Sequence, residues 1–238
     1  MKTFVIHLER ATARKGQVDH ILAHTPDAEI LPASDGAAMS DAARAAIYPG
    51  PAQFWPAYPF ELSPGEIGCF ESHKAAWQQM VEDDVPSALI VEDDVHIDAA
   101  AFDAALTLAK RHSDDWGYIQ FQVRDIKGPS EELARDGDVA LVRPEIIPLR
   151  TSAQLVSLAA AKALLAVSGQ IDRPVDAFLQ MRWHTGVDVA CMVPSGVSDR
   201  TAETGGSTLS QKRGIWQELK AGVPRLLYRR RIKALSRR

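Results

Sequence analysis

Three consecutive carboxylates, Glu92-Asp93-Asp94, follow directly on the short apolar run Leu89-Ile90-Val91. The run reads as a buried strand, so the acids stand where that strand emerges. Like charges a few ångströms apart repel, and either protons or a cation must relieve them. Hard oxygen ligands suit Mg2+ or Mn2+, which keep coordination positions open for water and phosphate oxygens. Acidic residues also end strands in solvated loops, and Glu82-Asp83-Asp84, just before Pro86, reads as a polar turn of that kind. The later triplet differs in following a buried run inside an α/β unit, where ligands gather at the carboxyl ends of strands.

Basic groups could serve the same chemistry. Phe4-Val5-Ile6-His7-Leu8 reads as the first strand, and residues 10–24 as a helix ended by Pro26. Arg10 and Arg14 are four apart and would share one face of that helix. Their guanidinium groups could meet a nucleotide or its phosphates, or simply form a solvated face. Ser63-Pro64-Gly65-Glu66 is a strong helix start, with a Ser cap, Pro at the first position and Glu closing a capping box. Running to about Val81, this helix places Ile67, Cys69, Phe70, Ala76, Trp77, Met80 and Val81 on one apolar arc, with His73 in its middle. A histidine there is either a satisfied core residue or one that points toward the acidic strand end.

The remaining elements follow by the same patterning. Residues 29–34 suggest a short strand and 41–60 an irregular excursion, in which Trp55, Tyr58 and Phe60 read as packing anchors before sugar platforms. Residues 99–112 read as a helix, 116–122 as a strand, 127–137 as a polar turn region and 139–142 as an edge strand. Residues 153–158 suggest a strand leading into a helix through Val167, then a helix over 173–184 and a strand over 187–193. Strands alternate with helices, predicting an α/β fold with a mostly parallel sheet flanked by helices.

Composition bounds the rest. A chain of 238 residues, 46% hydrophobic and 24% charged, is enough for one sizeable domain with a well-buried core. Cys69 and Cys191 lie far apart within apolar patterns, which fits reduced thiols better than a disulfide framework or a zinc site. The opening apolar run is too short for a signal peptide and no segment approaches a membrane span, so a cytoplasmic location is expected. Net charge is −4, yet residues 225–238 hold seven Arg or Lys and no acid, leaving 20 basic against 31 acidic residues elsewhere. An acidic body lacks the basic face that nucleic acid requires.

Several of these pieces, in order, resemble glycosyltransferase family 25, which includes bacterial lipooligosaccharide β-galactosyltransferases. They are Val5-Ile6-His7-Leu8-Glu9-Arg10 with Arg14, Leu62 through Phe70 running into Ser72-His73 and Trp77, and Leu89-Ile90-Val91-Glu92-Asp93-Asp94. Weaker echoes are Thr151 before Leu155-Val156-Ser157, Pro174-Val175-Asp176, and Ser207-Thr208 with Arg213. The resemblance implies a GT-A type, Rossmann-like fold that binds a UDP-sugar, with His7, Arg10, Arg14, His73 and Asp93 on the donor side. It implies Glu92 and Asp94 as ligands of Mn2+ or Mg2+, and Asp176 as the general base of an inverting displacement, with Asp188 and Glu203 in reserve. The family usually carries Asn at the position of His7, and Gly-Thr-Ala-Gly-Tyr where this chain has Arg150-Thr151-Ser152-Ala153-Gln154. The implied activity moves a hexose, most plausibly galactose, to a glycan or lipid-linked acceptor in cell-surface polysaccharide synthesis.

The chain divides into a transferase domain, 1–222, and a basic tail, 223–238. With its Leu and Tyr residues the tail could attract an anionic membrane surface or be a disordered solubilising segment. Two other functions fit less of the sequence: a family member without catalysis that acts as a scaffold, and a signalling receiver domain, whose acidic pocket Ile90-Val91-Glu92-Asp93-Asp94 resembles.

Overall fold

The computed structural model describes residues 1–201 and 222–237. Strands β1 (Lys2–His7), β2 (Ala28–Pro32), β3 (Ser87–Glu92), β5 (Tyr118–Phe121), β6 (Ser130–Asp136), β7 (Val139–Pro144), β8 (Ala153–Ser157) and β9 (Val189–Val193) form one sheet in the order β2-β1-β3-β8-β5-β9-β7-β6. A second, two-stranded sheet pairs β4 (Val95–Ile97) with β10 (Val197–Asp199). In the large sheet β1 runs parallel to β2 and β3, and β5 parallel to β9. β8 lies antiparallel between β3 and β5, while β7 lies antiparallel between β9 and β6. The sheet is therefore mixed, with six of its eight strands pointing one way; hydrophobic patterning does not encode the reversed direction of β7 and β8.

Successive strand residues alternate between two faces, and each face has its own core. Phe4, Ile90, Tyr118 and Val156 pack under α3 (Pro64–Glu82), α5 (Leu158–Val167) and α6 (Val175–Leu179), against Phe70, Trp77, Leu164 and Phe178. Val5, Val91, Ile119 and Leu155 pack on the other side against α1 (Lys15–His24) and α4 (Ala99–Arg111), through Ile21, Phe102 and Leu106. The α3 start is as its sequence demands: Ser63 Oγ accepts from the Glu66 N–H at 3.2 Å, and Glu66 Oε2 accepts from the Ser63 N–H at 2.7 Å.

Four sequence expectations change. The helix anticipated over 10–24 is a turn at Arg10, a 3-10 turn (Thr12–Arg14) and then α1, so Arg10 and Arg14 do not share a helix face. The excursion over 41–60 opens with α2 (Asp41–Ile47), capped by Ser40 Oγ on the Ala43 N–H. The turn-rich segment is β6, the true edge strand, and β7 lies inside it. Charged residues such as Glu131, Glu132 and Arg135 protect that edge from pairing with other chains, which is why it reads as loop. The helix over 173–184 is broken into α6 and α7 (Arg182–Thr185) at Gln180-Met181.

The basic tail is a helix, α8 (Gly222–Ser236), that lays Tyr228, Ile232 and Ser236 on the body. Its anchor is Arg173, fully buried, which donates to Asp172 (Nε to Oδ1, 2.6 Å), to the Pro56 carbonyl at 2.9 Å and to Tyr228 Oη at 3.4 Å. Arg231 stacks over Trp55 at 4.3 Å, which stays exposed, while Tyr58 meets Phe60 and Tyr228 edge-on and so serves packing. Of the two readings left open for the tail, the disordered one does not hold over residues 222–237. No described helix is long and apolar enough to cross a membrane.

Candidate functional site

Parallel pairing of β1 with β3 sets Ile6 opposite Glu92, so the two strands end side by side. From the end of β3 Glu92, Asp93 and Asp94 reach the cleft floor, which Arg14, Cys69 and His73 complete, and His7 at the end of β1 joins them through its bond to Asp93. The opposite wall is the loop Ser34-Asp35-Gly36, and it comes close because glycine meets glycine. A Cβ on Gly68 of α3 would lie 2.5 Å from the Ser34 carbonyl oxygen and 2.6 Å from the Gly36 nitrogen. Ser72 Oγ fastens the contact by accepting from the Ser34 N–H at 2.9 Å. Arg10 reaches over the cleft mouth from its turn and grips Asp35 through Nε at 2.5 Å and a second N–H at 3.1 Å.

The three acids have different partners and therefore different chemistry. Asp93 is buried and neutralised: Oδ2 accepts from His7 Nδ1 at 2.7 Å, and Oδ1 from Arg14, itself buried. Both of its oxygens are thus engaged inside the protein, one by each basic partner. Glu92 receives three donors on one oxygen, Oε1: His73 Nε2 at 2.9 Å, Thr151 Oγ1 at 3.0 Å and Cys69 Sγ at 3.9 Å. Burial pushes its carboxyl upward, but the hydrogen bond from His73, with Thr151 and Arg150, wins and holds it below the usual range.

Asp94 is the acid left short of compensation. Burial, and next the neighbouring Glu92 charge, push its carboxyl up to about 6, against the opposing pull of Arg14 at 3.6 Å and Thr201 Oγ1 at 3.1 Å. β4 and β10 hold it there, since the Arg200 N–H donates to the Asp94 carbonyl at 2.8 Å just beyond their pairing. Excess negative charge on oxygen ligands at a cleft floor is the donor chemistry that a hard divalent cation relieves, so Asp94 with Glu92 fits Mn2+ or Mg2+.

Asp176 does not line this cleft, but it lies near enough for its charge to act on Cys69 and to feel that of Glu92. Its Oδ2 accepts from the Arg150 N–H at 3.1 Å and its Oδ1 from the Ala177 N–H at 2.7 Å, pinning the left-handed turn at Arg150, whose φ is 91°. Arg150 leads into Thr151, which bonds Glu92, so the two carboxylates are joined through one loop. Burial, with the Glu92 and Glu66 charges assisting, raises the Asp176 carboxyl above its ordinary value against those two N–H bonds. Asp188 does not line the cleft and is tied to Arg182 at 3.1 Å and Arg143 at 2.6 Å. His184 packs its ring on Phe54 and Phe178. Glu203, Ser207, Thr208 and Arg213 lie outside the described residues.

Sequence reasoning missed Cys69, Asp35, Thr201 and Gln154 as site residues. The Cys69 to His73 spacing of four on one helix was a readable signal; the others arrive from distant loops and strands without one.

An acid-lined cleft at the carboxyl ends of neighbouring parallel strands is where α/β proteins of the nucleotide- and phosphate-binding class hold their ligands. The model of glycosyltransferase family 25 (LPS biosynthesis protein) matches residues 1–179, and the chain belongs to that family. A "Glycosyltransferase 25 family member" of Anopheles gambiae is 31% identical over 170 residues, 68% of this chain and 28% of that protein. Human "Procollagen galactosyltransferase 2" is 26% identical over 192 residues, 76% of this chain and 30% of that one. A bovine "Probable inactive glycosyltransferase 25 family member 3" is 31% identical over 123 residues, half of this chain and 20% of that protein. The chain spans less than a third of the length of these relatives, which are animal proteins rather than bacterial ones. Family membership replaces the receiver reading of the acidic pocket.

Proposed function

We propose that this chain is an inverting hexosyltransferase with a GT-A type site, moving galactose from a UDP-sugar to a glycan or lipid-linked acceptor. The observation that carries the reading is the division of labour among the three acids at the ends of β1 and β3. Asp93 is spent on His7 and Arg14, whereas Asp94 and Glu92 keep negative charge facing the cleft. That division suits a site that must orient a nucleoside diphosphate and also hold a cation beside it.

A bound Mn2+ or Mg2+ would neutralise the diphosphate as leaving group, as divalent cations do in phosphate chemistry. Asp94 would hold it, with Glu92 beside, and ionised Asp94 is required for that. Arg14 and His7, fixed by Asp93, orient the donor side, and Arg10 with Asp35 closes the mouth over it. His73 lines the same cleft and keeps Glu92 ionised through its bond to Oε1. Asp176 is the base assigned to take the acceptor hydroxyl proton; burial raises its proton affinity toward that task. Placement at the cytoplasmic face of a membrane fits the basic outer surface of α8, where Arg229, Arg230 and Lys233 are exposed.

Donor hydrolysis across a panel of UDP-sugars, with and without Mn2+, tests the proposal. Turnover of one donor that needs Mn2+ and is lost in Asp94→Asn supports it and names the sugar. A folded chain that turns over and binds none of them contradicts it. That result would favour the scaffold reading, which the family's inactive member by name makes concrete.

A further inference from the structure

Beneath the acids, the cleft floor carries a second set of ligand atoms. Cys69 and His73 sit one turn apart on α3 and aim at the end of β3. Cys69 Sγ, His73 Nε2 and Glu92 Oε1 all lie within 4.8 Å of one another. All three residues line the cleft, so an ion arriving from solvent can reach them. One sulfur, one imidazole nitrogen and one carboxylate oxygen, with a fourth position open to water, is a donor set for a borderline-soft tetrahedral cation, not for Mn2+ or Mg2+.

A second observation points the same way. Gln154 is fully buried behind His73; its amide nitrogen lies 3.3 Å from His73 Nδ1, and its carbonyl oxygen has no partner among the described residues. In this arrangement His73 carries its proton on Nε2 and gives it to Glu92. Turning the Gln154 amide over would aim the orphaned oxygen at Nδ1, stabilise the tautomer protonated there and free the Nε2 lone pair. A carbonyl on the far nitrogen is the usual support of a metal-bound histidine.

We propose that Cys69, His73 and Glu92 form a Zn2+ site at the floor of the cleft, with Gln154 as its orienting partner. Binding deprotonates Cys69 and moves the His73 proton from Nε2 to Nδ1, so one proton is released per ion, to solvent. The spacing of the two cysteines points away from a two-cysteine zinc site, and this one needs only Cys69. The site goes beyond the transferase proposal and is read without any donor. If that proposal also holds, an ion here takes Glu92 from the Mn2+ set, and the two metals oppose each other.

The test uses the full chain, reduced, with Co2+ as probe. A thiolate-to-Co2+ charge-transfer band saturating at one ion per chain, bleached by added Zn2+, is expected. Cys69→Ser should abolish the band, Gln154→Leu should weaken binding about tenfold, and Cys191→Ser should leave it intact. X-ray absorption on the Zn2+ complex of the unmutated chain should find a single sulfur neighbour, a result independent of whether any variant folds. Absence of the band, its survival in Cys69→Ser, or a zinc shell without sulfur would overturn the proposal. Failure here leaves UDP-sugar turnover untouched, so the two proposals fail separately.

Discussion

His73 Nε2 meets Glu92 Oε1 at 2.9 Å, joining a histidine buried in the α3 core to the carboxylate that ends β3. The core and the site are therefore one structure at this point. The bond holds the Glu92 carboxyl below its usual range although burial pushes it up. A depressed carboxyl contributes stability above the unfolded value and loses it as pH falls through the folded one. His73→Phe should thus cost about 1–3 kcal/mol near neutral pH, since it takes the 2.9 Å donor from a charged acceptor and leaves only Thr151 and the longer Cys69 contact. The gap to the parent chain should narrow in acid, where Glu92 protonates; denaturant unfolding at several pH values reads this directly.

Asp94 behaves in the opposite sense. Its carboxyl is raised from 3.8 to about 6, so the folded state binds the proton more tightly and stability falls as pH climbs through that window. Asp94→Asn should be more stable than the parent by about 1–3 kcal/mol near neutral pH. Near pH 4 the difference should vanish. Mn2+ should raise the melting temperature of the parent near neutral pH, and not that of the variant.

Arg14 and Asp93 form a buried pair, with both side chains 6% exposed. Arg14→Met leaves the Asp93 charge uncompensated and should cost about 3–5 kcal/mol, much of it recovered by adding Asp93→Asn. His7→Asn should be far milder, because an amide N–H can replace the 2.7 Å donation from Nδ1. Thermal melts of the three variants rank these effects.

Gly68→Ala should cost about 1–3 kcal/mol by overpacking, because the new Cβ meets backbone that cannot yield. Gly16→Ala in α1 has nothing within 4 Å of its new Cβ and should stabilise the chain by about 0.5–1 kcal/mol. Displacement of the Ser34-Asp35-Gly36 wall should also weaken UDP binding in the Gly68 variant and leave it unchanged in the Gly16 one.

Local signals in the sequence located β1, β3, α3 and the acids between them. The capping box at Ser63 and Glu66 and the buried run ahead of Glu92 each depend on neighbours within a few residues. What escaped was set by distant partners. β4 is three residues long and exists through pairing with β10, about a hundred residues later. The reversed direction of β8 leaves no trace in its hydrophobic pattern, and β6 hides a strand under the charges that guard its edge. Within the site, His73 lay between a core and a functional reading because it is both, buried and bonded to Glu92. Asp93, counted with the donor residues, proved to be their internal counter-ion.

Every role proposed for the cleft rests on its taking a nucleoside diphosphate together with a divalent cation on Asp94. Calorimetric titration of UDP into the full chain, with and without Mn2+, tests it most directly when repeated on Asp94→Asn. Binding should strengthen at least about tenfold with Mn2+ in the parent, a gain of about 1.4 kcal/mol, with no Mn2+ effect in the variant. Equal affinity with and without Mn2+ in the parent, or an undiminished Mn2+ effect in Asp94→Asn, would contradict it.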